Sequence, residues 1–123
     1  MELKKKILVI DDDDLVRESI KKILIKANYE PVLAENADAA IKIALKEKFA
    51  VVVSDIRMPG KNGVEAVREL RSIFNATIGK DVPVIFITGF ANLPDELNAE
   101  KLGEVILKPF DLDRLLITIR EYL

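Results

Sequence analysis

A doubly wound α/β domain, with five parallel strands and five covering helices, is what three features of this sequence predict. Short apolar, β-branched runs recur five times along the chain. Each run is apolar at successive rather than alternate positions, which suits strands covered on both faces, as in a parallel sheet. Between the runs lie segments whose apolar residues return every three or four positions, the period of a helix with one buried face. The resulting order, βαβαβαβαβα, implies right-handed crossovers that lay helices on both sides of one sheet.

The elements follow in order. The first strand is read at Ile7 to Ile10, and the first helix carries Val16, Ile20, Ile23, Leu24 and Ala27 on one stripe, with aspartate available to cap it. A strand at Val32 to Ala34 leads to a second helix behind Asn36, with Ala37, Ala40, Ile41, Ala44 and Leu45 inward. The third strand, Ala50 to Ser54, precedes a helix that buries Val64, Val67, Leu70 and Phe74. The fourth strand spans Val82 to Thr88, and a short helix runs from near Pro94 to Gly103, with proline first and glycine last. Val105 to Leu107 form the fifth strand, and the last helix starts behind Asp111 with Leu112, Leu115, Leu116 and Ile119 inward.

A chain of 123 residues fits one domain, here 1–123, and should bury about two-thirds of its unfolded surface. Half the residues are apolar, a third are charged, and glycine and proline stand at five each, so no disordered or low-complexity stretch is expected. There is no cysteine and no histidine, which excludes disulfides, thiolate metal sites and imidazole bases. Any chemistry must use carboxylates, hydroxyls and lysine. The net charge of −2, with both signs interspersed, provides no basic stripe for nucleic acid and no membrane-binding face, and Lys4 to Lys6 read as a solvated lead-in. No apolar run approaches the roughly 20 residues that span a bilayer, and no signal peptide is visible, so a cytoplasmic location is expected.

The run "ILVIDDDDLV", residues 7 to 16, poses the functional question. The residues that end or follow the strands are Asp11 and Asp12 after the first, Asp55 after the third, Thr88 at the end of the fourth and Lys108 after the fifth. In a flavodoxin-like strand order of 2-1-3-4-5 these four strands are contiguous, and sites in such sheets form beyond the carboxyl ends of the strands. Clustered carboxylates without a cation would repel, so the arrangement makes sense around a hard metal. Without histidine or cysteine the expected ion is Mg²⁺, held by carboxylates, water and phosphate. Lys108 and Thr88 then supply a cation and a donor for phosphoryl oxygens, as phosphoryl transfer requires. Asp13 and Asp14 are expected to serve only the helix start.

The motifs "VIDDDD", "VVVSDIRMPGKNG", "VIFITG" and "LKPF", in order and well spaced, resemble the receiver domain of bacterial two-component response regulators from Ile7 to about Leu123. The resemblance implies Asp55 as the phosphoacceptor, Asp12 as a direct Mg²⁺ ligand, Asp11 as a ligand directly or through water, and the Arg57 carbonyl as a further ligand. Thr88 matches the family's switch hydroxyl and Lys108 its phosphate-contacting lysine, with a Lys108–Pro109 bond that is often cis in relatives. The implied donor is the phosphohistidine of a sensor kinase or phosphotransfer protein. Phosphorylation would draw Thr88 and Lys108 inward and rearrange the fourth helix for a downstream partner, an output domain or a phosphorylation-dependent dimer. Leu15, off the first helix's core stripe, is where such a kinase would touch.

Three positions depart from the family pattern. Val105 stands where an aromatic ring is usual, the stretch from Thr88 to Lys108 is about two residues short, and Asn62 replaces an aspartate in a turn beside Gly63 where either residue serves. Arg57 and Phe90 fall where receivers tune water access to the phosphate, and two large side chains there are expected to slow dephosphorylation. As given, the chain reads as a stand-alone receiver or a piece of a larger regulator or hybrid kinase. Two rival functions fit fewer residues. A haloacid-dehalogenase-type phosphatase would use Asp11 as nucleophile and Asp13 as acid/base, leaving Asp55 idle; a degenerate receiver would bind partners without being phosphorylated.

Overall fold

Five strands form close to the apolar runs: β1 (Lys6–Ile10), β2 (Glu30–Ala34), β3 (Val51–Asp55), β4 (Val84–Thr88) and β5 (Glu104–Leu107). The computed structural model describes residues 4–89, 94–108 and 111–123; Phe90 and the Lys108–Pro109 bond lie outside them. All strand pairs are parallel and the order is β2-β1-β3-β4-β5, as the sequence predicts. β4 begins two residues later than its apolar run because Pro83 has no N–H for the ladder; its carbonyl still accepts from Val52 N at 3.0 Å. β3 extends one residue further than expected and ends on Asp55 itself.

The helices are α1 (Asp14–Lys26), α2 (Ala37–Ala44), α3 (Gly63–Ile78), α4 (Pro94–Leu102) and α5 (Leu112–Glu121). Successive strand residues feed opposite cores. Leu8, Ile10, Val52 and Phe86 pack with Ala40, Val67, Leu70, Phe74 and Ala99 of α2, α3 and α4. Ile7, Val9, Val53, Ile85 and Ile87 pack with Ile20, Leu24, Leu115 and Ile119 of α1 and α5. This two-sided cover is why the strands lack polar alternation. Leu45, expected inward, is exposed, because α2 ends at Ala44 and Leu45 is its C-cap. Val105 is half-buried on the α3/α4 side of the sheet. Among the described residues, no helix is long and apolar enough to cross a membrane.

The departure at Asn62 has a structural role. Its side chain accepts from Glu65 N at 3.0 Å, and the Glu65 carboxylate accepts from Asn62 N at 3.4 Å, so the pair forms a reciprocal cap on α3. Removing that cap should cost about 1 kcal/mol. Asn62→Ala is therefore expected to lower the Tm by about 4 °C, and Asn62→Asp to leave it nearly unchanged, as calorimetry would read. Equal loss in both variants would show that the cap is not what Asn62 contributes.

Candidate functional site

Strand register builds the site as a staircase. Ile10 pairs with Ser54, so Asp11, the next residue after β1, comes level with Asp55. Asp55 pairs with Ile87, which puts Thr88 one step further along β4, and Thr88 pairs with Leu107, which puts Lys108 one step beyond β5. The ladder continues to that step, with Lys108 N donating to the Thr88 carbonyl at 2.6 Å. The residue after β2, whose Ala34 pairs with Ile10, is Glu35; it is exposed and is not one of the acids that converge with Asp55.

Carboxylate oxygens of Asp11, Asp12 and Asp55 all lie within 4.8 Å of one another. Asp11 is fully buried and Asp55 nearly so, at 5% exposure, while Asp12 is exposed. Lys108 closes the cluster, its Nζ 3.2 Å from Asp55 Oδ2 and 3.4 Å from Asp11 Oδ2. Thr88 is buried at the end of β4. Arg57 is exposed two residues past Asp55, and its backbone N donates to Asp55 Oδ1 at 3.3 Å.

Burial pushes the Asp55 carboxyl above its ordinary range, against the partial relief of the Lys108 ammonium and of N–H groups from Arg57 and Ile56. Burial also raises Asp11, assisted by the nearby Asp55 charge and opposed by the Asp13 N–H and Lys108. For Lys108, burial alone would lower the pKa, but the two carboxylates outweigh it and the net shift is upward. Two buried acids thus share one ammonium. The donors are all oxygen, from carboxylates that resist ionising without a second cation, and that chemistry fits a hard divalent ion better than a soft one.

The rest of the aspartate run stands at the start of α1, as expected. Asp13 caps α1, accepting from Leu15 N at 2.9 Å and Val16 N at 3.3 Å, and Asp14 lies in the first turn. Two residues were not singled out by the sequence reading. Arg17 donates from Nη1 to the Asp11 carbonyl at 2.6 Å and pairs through Nη2 with Asp14. Its one sequence signal is the i,i+3 spacing from Asp14 on a helix. Gly63 opens α3 with its Cα against the backbone of Asp55 and Ile56, and its N–H donates to the Ile56 carbonyl at 2.8 Å.

Comparison with known proteins points to one family. The family model of the response regulator receiver domain matches residues 7–120. Transcriptional regulatory protein FixJ of Bradyrhizobium diazoefficiens is 35% identical over 117 residues, 94% of this chain and 55% of FixJ, so the chain spans about half that regulator's length. Sporulation initiation phosphotransferase F of Bacillus subtilis is 28% identical, covering 98% of this chain and 95% of that protein. The response regulator protein TrrA of Thermotoga maritima, solved in complex with Mg²⁺-BeF, superposes with a TM-score of 0.82 at 32% identity, over 97% of this chain and 99% of TrrA. A match that runs from β1 almost to the end of α5, on this sheet order, places the chain in its family: it belongs to the response regulator receiver domains of two-component signalling.

Proposed function

We propose that the chain, as one receiver domain over residues 1–123, accepts a phosphoryl group on Asp55 from a phosphohistidine and passes the signal on by changing conformation. The observation that carries this reading is the pairing of a nearly buried Asp55 with Lys108 at 3.2 Å, beside the carboxylates of Asp11 and Asp12. Asp11, Asp12, Asp55 and the Arg57 carbonyl are the proposed holders of Mg²⁺, which when bound neutralises charge on the phosphoryl oxygens and the carboxylates. Asp55 acts as nucleophile. Its oxygen bonds to phosphorus as the P–N bond of the donor breaks, and the leaving imidazole takes a proton. Lys108 turns its ammonium to a phosphoryl oxygen, and the Thr88 hydroxyl donates to another, which biases β4, α4 and β5 toward the signalling state.

On this reading the protein is a phosphoacceptor that catalyses its own phosphorylation and slow dephosphorylation, and it has no other substrate. A sensor histidine kinase or histidine phosphotransfer protein is the proposed donor, with Leu15, 80% exposed beside the site, as a contact. The proposed recipient of the signal is a partner protein or an output domain, through contacts that include neither nucleic acid nor membrane, in the cytoplasm; a phosphorylation-dependent dimer is one such contact. The phosphatase reading fares poorly on one observation: Asp13, its required acid/base, accepts two helix N–H groups instead.

The test is intact mass after incubation with acetyl phosphate, with and without Mg²⁺, for the native chain and for Asp55→Asn. The native chain should gain one phosphoryl mass only with Mg²⁺, and the variant none. No gain in folded native protein would favour a receiver that works without phosphorylation.

A further inference from the structure

We infer that Arg17 is a positioning residue for loading the metal: its guanidinium ties the Asp11–Asp12 peptide to helix α1 and so sets where the Asp12 carboxylate stands. This rests on the Mg²⁺ site proposed above. Asp11 is held at several points, its N–H on the Ala34 carbonyl at 3.2 Å, its Oδ1 receiving Asp13 N at 2.9 Å and its Oδ2 facing Lys108. Asp12 is held at none, since its exposed carboxylate makes no hydrogen bond or ion pair among the described residues. The orientation of Asp12 is therefore inherited from the backbone on either side of it.

On the Asp13 side, the Asp11 carboxylate closes a local turn. On the Asp11 side, the carbonyl of the very peptide that leads into Asp12 accepts from Arg17 Nη1 at 2.6 Å. Arg17 is itself fixed. Its side chain is 14% exposed, it rises from the first turns of α1, and its second nitrogen pairs with Asp14. The planar guanidinium holds both partners in one plane, which an ammonium cannot do. Groups of this kind, which orient a ligand without touching the ion, typically change metal affinity 10- to 100-fold when removed.

The cation offers an opposite expectation if position is irrelevant. Deleting a positive charge beside an acidic pocket would then tighten divalent-ion binding. Titration calorimetry of the full chain with MgCl₂ separates the two. Arg17→Ala is expected to weaken Mg²⁺ binding about tenfold. Arg17→Lys, which keeps the charge and one donor, should recover part of the loss, and Asp14→Asn, which frees only the second arm of Arg17, should weaken binding by roughly two- to threefold. Unchanged or tighter Mg²⁺ binding in folded Arg17→Ala would overturn the inference, and so would a lowered Tm with an unchanged Kd. If the native chain binds no Mg²⁺, the site reading itself fails, and that result is distinct from a native chain that binds while Arg17→Ala binds equally well.

Discussion

Gly63→Ala is expected to lower the Tm by 10 °C or more and to depress phosphorylation of Asp55 beyond what the stability loss explains. A Cβ at position 63 would fall far inside van der Waals contact distance of the Asp55 carbonyl oxygen, with the Asp55 carbonyl carbon 2.9 Å and Ile56 Cα 3.0 Å away. The obstacle is backbone on both sides, so no rotamer relieves it. Either α3 moves off the sheet, breaking the Gly63 N–H bond to Ile56, or the end of β3 moves and takes Asp55 with it. Such overpacking costs about 3 kcal/mol, at the high end of what is seen in cores, and each kcal/mol is about 4 °C here.

Gly103→Ala supplies the control. Its Cβ would collide with the Val84 carbonyl in the same way, but Val84 begins β4, at the other end of the sheet from the aspartates. Melting curves of the two variants should therefore fall together, while acetyl phosphate labelling measured well below both Tm values should fall only in Gly63→Ala. Equal labelling would show that Gly63 matters for packing alone.

The second large effect concerns Lys108. Without divalent cation, Lys108→Ala is expected to destabilise the protein at neutral pH, and Mg²⁺ is expected to restore most of the loss. Removing one partner of a fully buried ion pair costs about 3–5 kcal/mol. Lys108 keeps 26% of its side chain exposed, and solvent screening reduces the expected figure to roughly 1–3 kcal/mol.

The pH dependence has a definite sign. Asp11 and Asp55 have folded pKa values raised above their ordinary 3.8, mainly by burial, so the native state retains protons that the unfolded chain has already released. Their favourable contribution is complete below pH 3.8 and is lost as pH climbs through the raised values. Lys108 is also raised, from 10.5, so its contribution holds below that pH and fades in more alkaline solution. Lys108→Ala removes the ammonium that restrains both acids, which steepens the fall of stability with pH on the acid side and removes the share of the alkaline decline that belongs to Lys108. Urea denaturation across this range, with and without Mg²⁺, reads both limbs. A constant difference between variant and native at every pH would mean that Lys108 contributes packing rather than charge.

Particular residues show how much of this was legible in one dimension. The runs from Ile7 and Val51 announced buried parallel strands because unbroken apolarity has few other uses in a short segment, and the helix stripes at Ile20, Leu24, Val67, Leu70 and Leu115 landed in the two cores. At Leu45 and at the start of β4 the reading slipped for a local reason, a helix that ended one residue earlier than its stripe and a proline that withheld an N–H, and β2 begins at Glu30, two residues before its apolar run. Asn62 was placed in its turn correctly, while its reciprocal bond with Glu65 needed coordinates.

By itself, the sequence determined the sheet, its likeness to receivers and the set of acids, hydroxyl and ammonium at the strand ends, because these depend on residue type, period and order. The tertiary structure decided how those groups share charge and what holds them still. That Asp11 and Asp55 divide one lysine, that Gly63 must lack a side chain, and that Arg17 reaches back to the peptide before Asp12 are facts of distance between segments. Hydrophobic pattern is written along the chain, residue by residue. Close approach and electrostatic coupling exist only once the strands are in register.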